Sequence, residues 1–225
     1  MGALRNSLVF LKQFGTQFKT TGSILPSGPA LARSITSELG KRGDEPVRVL
    51  ECGPGTGAFT SAILSHLRPG DTFDLVELNP IFVGVLNKRF ETEPAWAEKR
   101  DLATVHERSL DGFEPERPYD FIVSGIPHVN LPPDLVQTIT DTYFRVLSPR
   151  GVLSYFSYAY ISSIRKTLTL GMDTKQTAGV SAVMKAHFAT RGIRRDTVML
   201  NVPPAWVHFL SGTPHSVTAG SQLSD

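Results

Sequence analysis

What this sequence lacks narrows the field before any motif is read. It has one cysteine, Cys52, in 225 residues, so an internal disulfide is excluded and a reducing compartment is expected, with Cys52 in a packing role. No apolar run approaches the ~20 residues that a membrane-spanning helix needs. Lys12 and Gln13 break the apolar N-terminal stretch too early for a signal peptide. Asn6 stands where a myristoylation signal requires Ser or Thr. No internal repeat is visible. Strong charge of one sign is absent as well, since the net value is +2.

What is present suits a soluble globular chain, with 40% hydrophobic and 20% charged residues and a length that fits one sizeable domain with short additions. The charge is unevenly spread. Residues 1–42 carry six Lys/Arg against one Glu, residues 161–200 seven against two acids, and residues 43–160 ten against seventeen. Basic ends around an acidic middle point to an anionic partner, either lipid headgroups or nucleic acid.

The pattern alternates strand and helix. Strands are predicted at Val47–Glu51, Thr72–Glu77, Ala103–Glu107, Phe121–Ser124, Gly151–Tyr158, Thr197–Asn201 and Trp206–Leu210. Helices are predicted at Ala30–Leu39, Ala58–Leu67, Phe82–Phe90, Pro133–Val146 and Ala178–Thr190. This predicts an α/β fold, a doubly wound and mostly parallel seven-stranded sheet with helices on both faces. A hairpin at Pro203-Pro204 would add an antiparallel edge. Three regions are expected: N-terminal amphipathic and cap helices over 1–42, the main domain over 43–210, and a small, polar, frayed tail over 211–225.

The most informative stretch is Val47-Arg48-Val49-Leu50-Glu51-Cys52-Gly53-Pro54-Gly55-Thr56-Gly57. A strand runs into a glycine turn, and a helix follows. Glycines there let the backbone pass close to a ligand and take positive φ, and the helix behind points free N–H groups at it. Gly53-x-Gly55-x-x-Ala58 also satisfies the loose dinucleotide fingerprint. Glu51, however, would repel an incoming pyrophosphate and suits a cationic amino group. Glu77 ends the next strand, where a carboxylate can accept two hydroxyls of a ribose diol.

These residues resemble the first motif of the class I S-adenosylmethionine-dependent methyltransferases, and the likeness covers roughly residues 45–160. It implies S-adenosyl-L-methionine as cofactor, with Glu51, Cys52, Gly53, Gly55, Thr56 and Gly57 lining it, Glu77 on the ribose and Leu78 on the adenine. The family often has an acid for the adenine amino group after the third strand. This chain offers Ser109-Leu110 there, with Asp111 two residues late.

After the fourth strand comes Ser124-Gly125-Ile126-Pro127-His128. Adenine methyltransferases carry an Asn/Asp/Ser-Pro-Pro-aromatic tetrad at this place, and the aromatic needed to stack a base is missing here. The segment instead resembles the Ser-Gly-Leu-Pro element of bacterial phospholipid N-methyltransferases, which act on phosphatidylethanolamine, with relatives acting on ornithine lipids. Lys19-Thr20-Thr21-Gly22-Ser23-Ile24-Leu25-Pro26-Ser27 is similar to that family's Gly-x-hydrophobic-x-Pro-Ser signature. Asn201-Val202-Pro203-Pro204-Ala205 matches its Leu-Pro-Pro-Ala joint in part. The resemblance implies a lipid N-methyltransferase, peripheral on the cytoplasmic face of the cell membrane, with Ser27 and Ser124 added to the cofactor set and no nucleic-acid partner.

Residues 4–19 carry a separate signal. At 100° per residue Leu4, Leu8, Phe10, Leu11, Phe14 and Phe18 share an arc of roughly 160°, with Arg5, Lys12 and Lys19 beside it. A basic amphipathic helix of this kind can lie in an anionic lipid interface; it can equally dock on its own domain. For the chemistry, His128 is the candidate base on the acceptor loop. Tyr155, Tyr158 and Tyr160 cluster on and after the fifth strand, and Tyr158 is the candidate aromatic face for a methylated ammonium. The competing readings are an RNA adenine methyltransferase, a membrane-binding module that retains a cofactor pocket, and, more distantly, a nicotinamide enzyme.

Overall fold

The structure, a computed structural model, describes residues 28–159 and 174–215. Ser27, Tyr160 and the amphipathic stretch at residues 4–19 lie outside the described residues. The strands are β1 (Arg48–Cys52), β2 (Thr72–Glu77), β3 (Ala103–Glu107), β4 (Tyr119–Ser124), β5 (Leu147–Tyr158), β6 (Gly192–Val198) and β7 (Ala205–Ser211). The helices are α1 (Pro29–Ile35), α2 (Thr60–His66), α3 (Pro80–Thr92), α4 (Pro94–Ala97), α5 (Pro133–Val146) and α6 (Thr174–Arg191), with 3-10 turns at Leu39–Lys41, Arg100–Leu102 and His128–Asn130.

All seven strands form one sheet in the order β3-β2-β1-β4-β5-β7-β6. The first five are parallel, and β7 runs antiparallel to both of its neighbours. The expected hairpin exists, with β7 inserted between β5 and β6 so that β6 forms the edge. Side chains alternate between two cores, as a strand buried on both faces requires. Val49, Phe73, Leu75, Val123, Val207 and Phe209 face Leu31, Ile35 and Leu39 of the N-terminal helices and Ile63 of α2. Leu50, Cys52, Val76, Ile122, Leu153 and Leu210 face Val136, Ile139 and Tyr143 of α5 and Val180 and Met184 of α6.

Helix starts follow local chemistry. Asn79 caps α3 by accepting the Ile81 N–H at 3.0 Å, and Pro80 follows at the first helical position, where its missing N–H costs nothing. Pro133 opens α5 in the same way.

Several boundaries depart from the sequence expectation: the fifth strand begins at Leu147 rather than Gly151, and a short helix at Pro94–Ala97 was not anticipated. The sixth strand is shifted back to Gly192–Val198 from Thr197–Asn201, where it pairs with β7 and Arg194 reaches across to Ser37 and Glu38. Residues 28–41 are tied into the body: Leu31, Ile35 and Leu39 are fully buried, and the Gly28 N–H donates to Asn201 at 3.0 Å. The tail expected from residue 211 is held as far as 215, through Gly212 to Gly151 and His215 to Thr190. At the amino end of the sheet Arg42 grips Asp71 with two hydrogen bonds of 2.7 and 2.6 Å. Asp71 also accepts the Val47 and Arg68 N–H groups.

Candidate functional site

The order of the sheet reverses between β1 and β4, and in doubly wound folds ligands bind outside the carboxyl ends of the strands at that point. The loop after β1 adopts the backbone its glycines permit: Gly53, Gly55 and Gly57 have φ of 67°, 58° and 88°. A Cβ on Gly53 would meet Ile126 at 2.7 Å, and one on Gly57 would meet the Trp96 ring at 2.5 Å. A Cβ on Gly55 would meet nothing within 4 Å, so the turn is packed on both flanks and open at its middle. Arg89 of α3 clamps it from outside, donating to the Thr56 carbonyl at 2.7 Å while stacking 4.0 Å over Trp96.

Two carboxylates frame this turn. Glu77 accepts the Gly55 N–H at 3.0 Å and the Asn79 N–H at 2.8 Å, so the glycine turn itself orients it. Burial raises its pKa against those hydrogen bonds. Glu51 is fully buried. One oxygen accepts the Thr60 hydroxyl at 2.7 Å, and the other, Oε1, has no partner among the described residues. Burial, with the Glu77 charge adding to it, pushes the Glu51 pKa up to about 8. A buried acceptor left open is costly unless something fills it. A cationic amino group would supply both the donors and the countercharge.

The remaining sequence-predicted residues are placed as follows. Leu78 is half-buried after β2, and its N–H supports Glu77. Cys52 points its thiol into the α5 core and offers the site only its carbonyl, which accepts the Gly125 N–H at 2.8 Å. That bond pins the loop after β4 against the glycine turn, where a Cβ on Gly125 would meet the Gly53 carbonyl at 2.5 Å. Leu110 packs in the same core as Cys52, and Ser109 accepts the Asp111 N–H at 3.3 Å.

Ser124 and His128 meet through a residue the sequence reading did not single out. The Tyr143 hydroxyl of α5 lies 2.7 Å from Ser124 Oγ and 3.3 Å from His128 Nε2. His128 is buried, its Nδ1 has no partner among the described residues, and burial together with His208 lowers its pKa to about 4. Tyr155 lies edge-on to His128 and stacks on His208 at 4.7 Å. Tyr158 sits on the other face of β5, half-buried and edge-on to Phe156 at 5.4 Å. The tyrosine beside the acceptor-loop histidine is therefore Tyr155. Tyr143 and Thr60 sit on apolar helix stripes and read as packing residues in sequence, while Arg89 reads as a surface charge. Only the fold reveals what they hold.

Comparisons with solved structures agree with this architecture. An O-methyltransferase from Bacillus cereus in complex with S-adenosylhomocysteine superposes with a TM-score of 0.63 at 13% identity, covering 92% of this chain and 90% of that one. The N-methyltransferase NodS from Bradyrhizobium japonicum, also with S-adenosyl-l-homocysteine, gives 0.57 at 16% identity over 82% and 88%. The fold is that of the class I S-adenosylmethionine-dependent methyltransferases. Among curated proteins, an ornithine lipid N-methyltransferase from Singulisphaera acidiphila is 26% identical over 155 residues, which span 67% of this chain and 77% of that protein. No family model matches the chain. Among the described residues no helix is long and apolar enough to cross a membrane, and no group of His, Cys, Asp and Glu could hold a metal ion.

Proposed function

We propose that this chain is an S-adenosylmethionine-dependent N-methyltransferase acting on the amine of a membrane amino-lipid headgroup. The observation that carries the cofactor is the unpartnered, buried Oε1 of Glu51 beside a glycine turn that opens at Gly55. In this reading Glu51 takes the amino group of the cofactor's methionine end and Glu77 takes its ribose hydroxyls. The bound sulfonium would supply an already activated methyl group. What is left for the protein is to bring a free amine in line with it.

The acceptor class draws support from the likeness to the ornithine lipid N-methyltransferase and from the Ser124–Pro127 element. A primary amine with a lysine-like pKa of ~10.4 is mostly charged at pH 7, and freeing its lone pair costs about 4.6 kcal/mol. Desolvation in a closed pocket offsets part of this. His128 is held neutral by burial, so it serves as a hydrogen-bond acceptor that orients the amine. Its low basicity sends the released proton on to water. Tyr143 fixes the ring through its hydroxyl, and Tyr155 packs edge-on against it.

The test is incubation with labelled S-adenosylmethionine and either phosphatidylethanolamine or ornithine lipid in mixed micelles, followed by separation of the lipids. Label in a lipid amine is the expected result. Cofactor binding without label in any amino-lipid would refute the acceptor assignment.

A further inference from the structure

Among the described residues five large hydrophobic side chains are exposed, and three of them crowd the single turn between β6 and β7: Met199 at 63%, Leu200 at 85% and Val202 at 68%. Contiguous exposed apolar side chains mark contact surfaces. This turn is held in shape by Asn201, itself buried, which accepts the Gly28 N–H at 3.0 Å and donates to the Pro203 carbonyl at 2.8 Å. The apolar side chains are thus presented on a fixed backbone, and a partner would have little to order on binding.

The position of the turn identifies the partner. Ala205 at the start of β7 pairs with Tyr158 at the end of β5, and the Ala159 N–H donates to the Pro204 carbonyl at 2.8 Å. The turn therefore projects from the carboxyl edge of the sheet, the edge that carries the glycine turn and the His128 loop. Behind the apolar tip the composition changes in order. Trp206 pairs with Thr197, two residues back from Met199, or roughly 7 Å along a strand. Arg195, exposed and two residues farther, lies 4.9 Å over the Trp206 ring and makes no ion pair among the described residues. Apolar side chains, then an indole, then an exposed guanidinium match the order of hydrocarbon, interface and phosphate in a bilayer.

We propose that the Met199–Val202 turn inserts into an anionic lipid surface and sets the carboxyl edge of the sheet against it. The choice of a lipid surface rests on the amino-lipid reading above. The contact itself is measurable without any methyl transfer.

Leu200→Cys, labelled with a polarity-sensitive fluorophore, is the direct probe. The position is the most exposed of the three and Cys52 is buried, so only residue 200 reacts. The full-length labelled chain is mixed with vesicles of phosphatidylglycerol and phosphatidylethanolamine. The emission should shift to the blue, and lipids brominated along the acyl chain should quench it. In sedimentation with the same vesicles, M199S/L200S/V202S should bind about tenfold more weakly, with unchanged affinity for S-adenosylhomocysteine.

No emission change at lipid concentrations that sediment the protein would overturn the proposal. So would an absence of sedimentation, or a blue shift that follows protein concentration without lipid, which would mean that a second copy covers the turn. A blue shift without methyl transfer to any amino-lipid would leave the contact standing and remove the function instead.

Discussion

Replacing Glu51 by glutamine keeps the shape of the side chain and the hydrogen bond from Thr60 but removes the charge. The structure sets the size of the effect. With a pKa of about 8, Glu51 in the free protein is protonated at neutral pH, and only about a tenth is ionised at pH 7. Binding a cationic amino group selects that ionised tenth. Wild-type affinity for S-adenosylhomocysteine should therefore rise about tenfold per pH unit from pH 6 to pH 7 and flatten near pH 8. A charge-assisted hydrogen bond contributes about 2 kcal/mol, so at pH 8 the variant should bind roughly 30-fold more weakly. At pH 6 the wild type must spend about 2.7 kcal/mol on ionisation, and the difference should vanish. Titration calorimetry across this range is the assay. A flat wild-type profile, or a Gln variant that keeps the slope, would refute the assignment of Glu51 to the amino group.

Further outcomes follow from the same geometry. Gly57→Ala must adopt φ near 88° and meet the Trp96 ring, so thermal denaturation should show a loss of about 2–3 kcal/mol. Gly84→Ala, in the exposed middle of α3 with nothing within 4 Å, should instead gain about 0.5–1 kcal/mol. Tyr143→Phe removes the hydroxyl shared by Ser124 and His128. It should cost about 1–3 kcal/mol of stability and lower kcat, while affinity for S-adenosylhomocysteine stays unchanged. At the other end of the sheet, burial would raise the Asp71 pKa, but the Arg42 guanidinium with the Arg68 and Val47 N–H groups carries it below its usual value. Its contribution is complete above about pH 4 and fades as the pH falls through the lowered value. Denaturant titrations from pH 5 to pH 2 should show this loss in the wild type and a flatter profile in Asp71→Asn.

The alternation of strand and helix, the glycine turn and the two acids were legible because each depends on local chemistry. A buried parallel strand reads as an apolar run, and a backbone that must turn with positive φ demands glycine. Thr72–Glu77, Ala103–Glu107 and Pro133–Val146 have the same ends in the sequence reading and in the structure. The sixth strand was misplaced because its span is set by pairing with β7, and Asn201 at its expected end is held instead in the turn by Gly28, 173 positions earlier in the chain. No local pattern carries that information.

By itself, then, the sequence determined the alternation of seven strands with five of the helices, and that Glu51 and Glu77 bracket a tight turn at the end of the first two strands. Tertiary structure alone decided that one oxygen of Glu51 stays unpartnered, that Tyr143 joins Ser124 to His128, and that Tyr155, rather than Tyr158, lies beside that histidine. The reason is physical. Periodicity and turn chemistry act over a few residues, whereas burial, a shared hydroxyl and the pKa of a buried acid depend on groups that only the packed sheet and helices bring together.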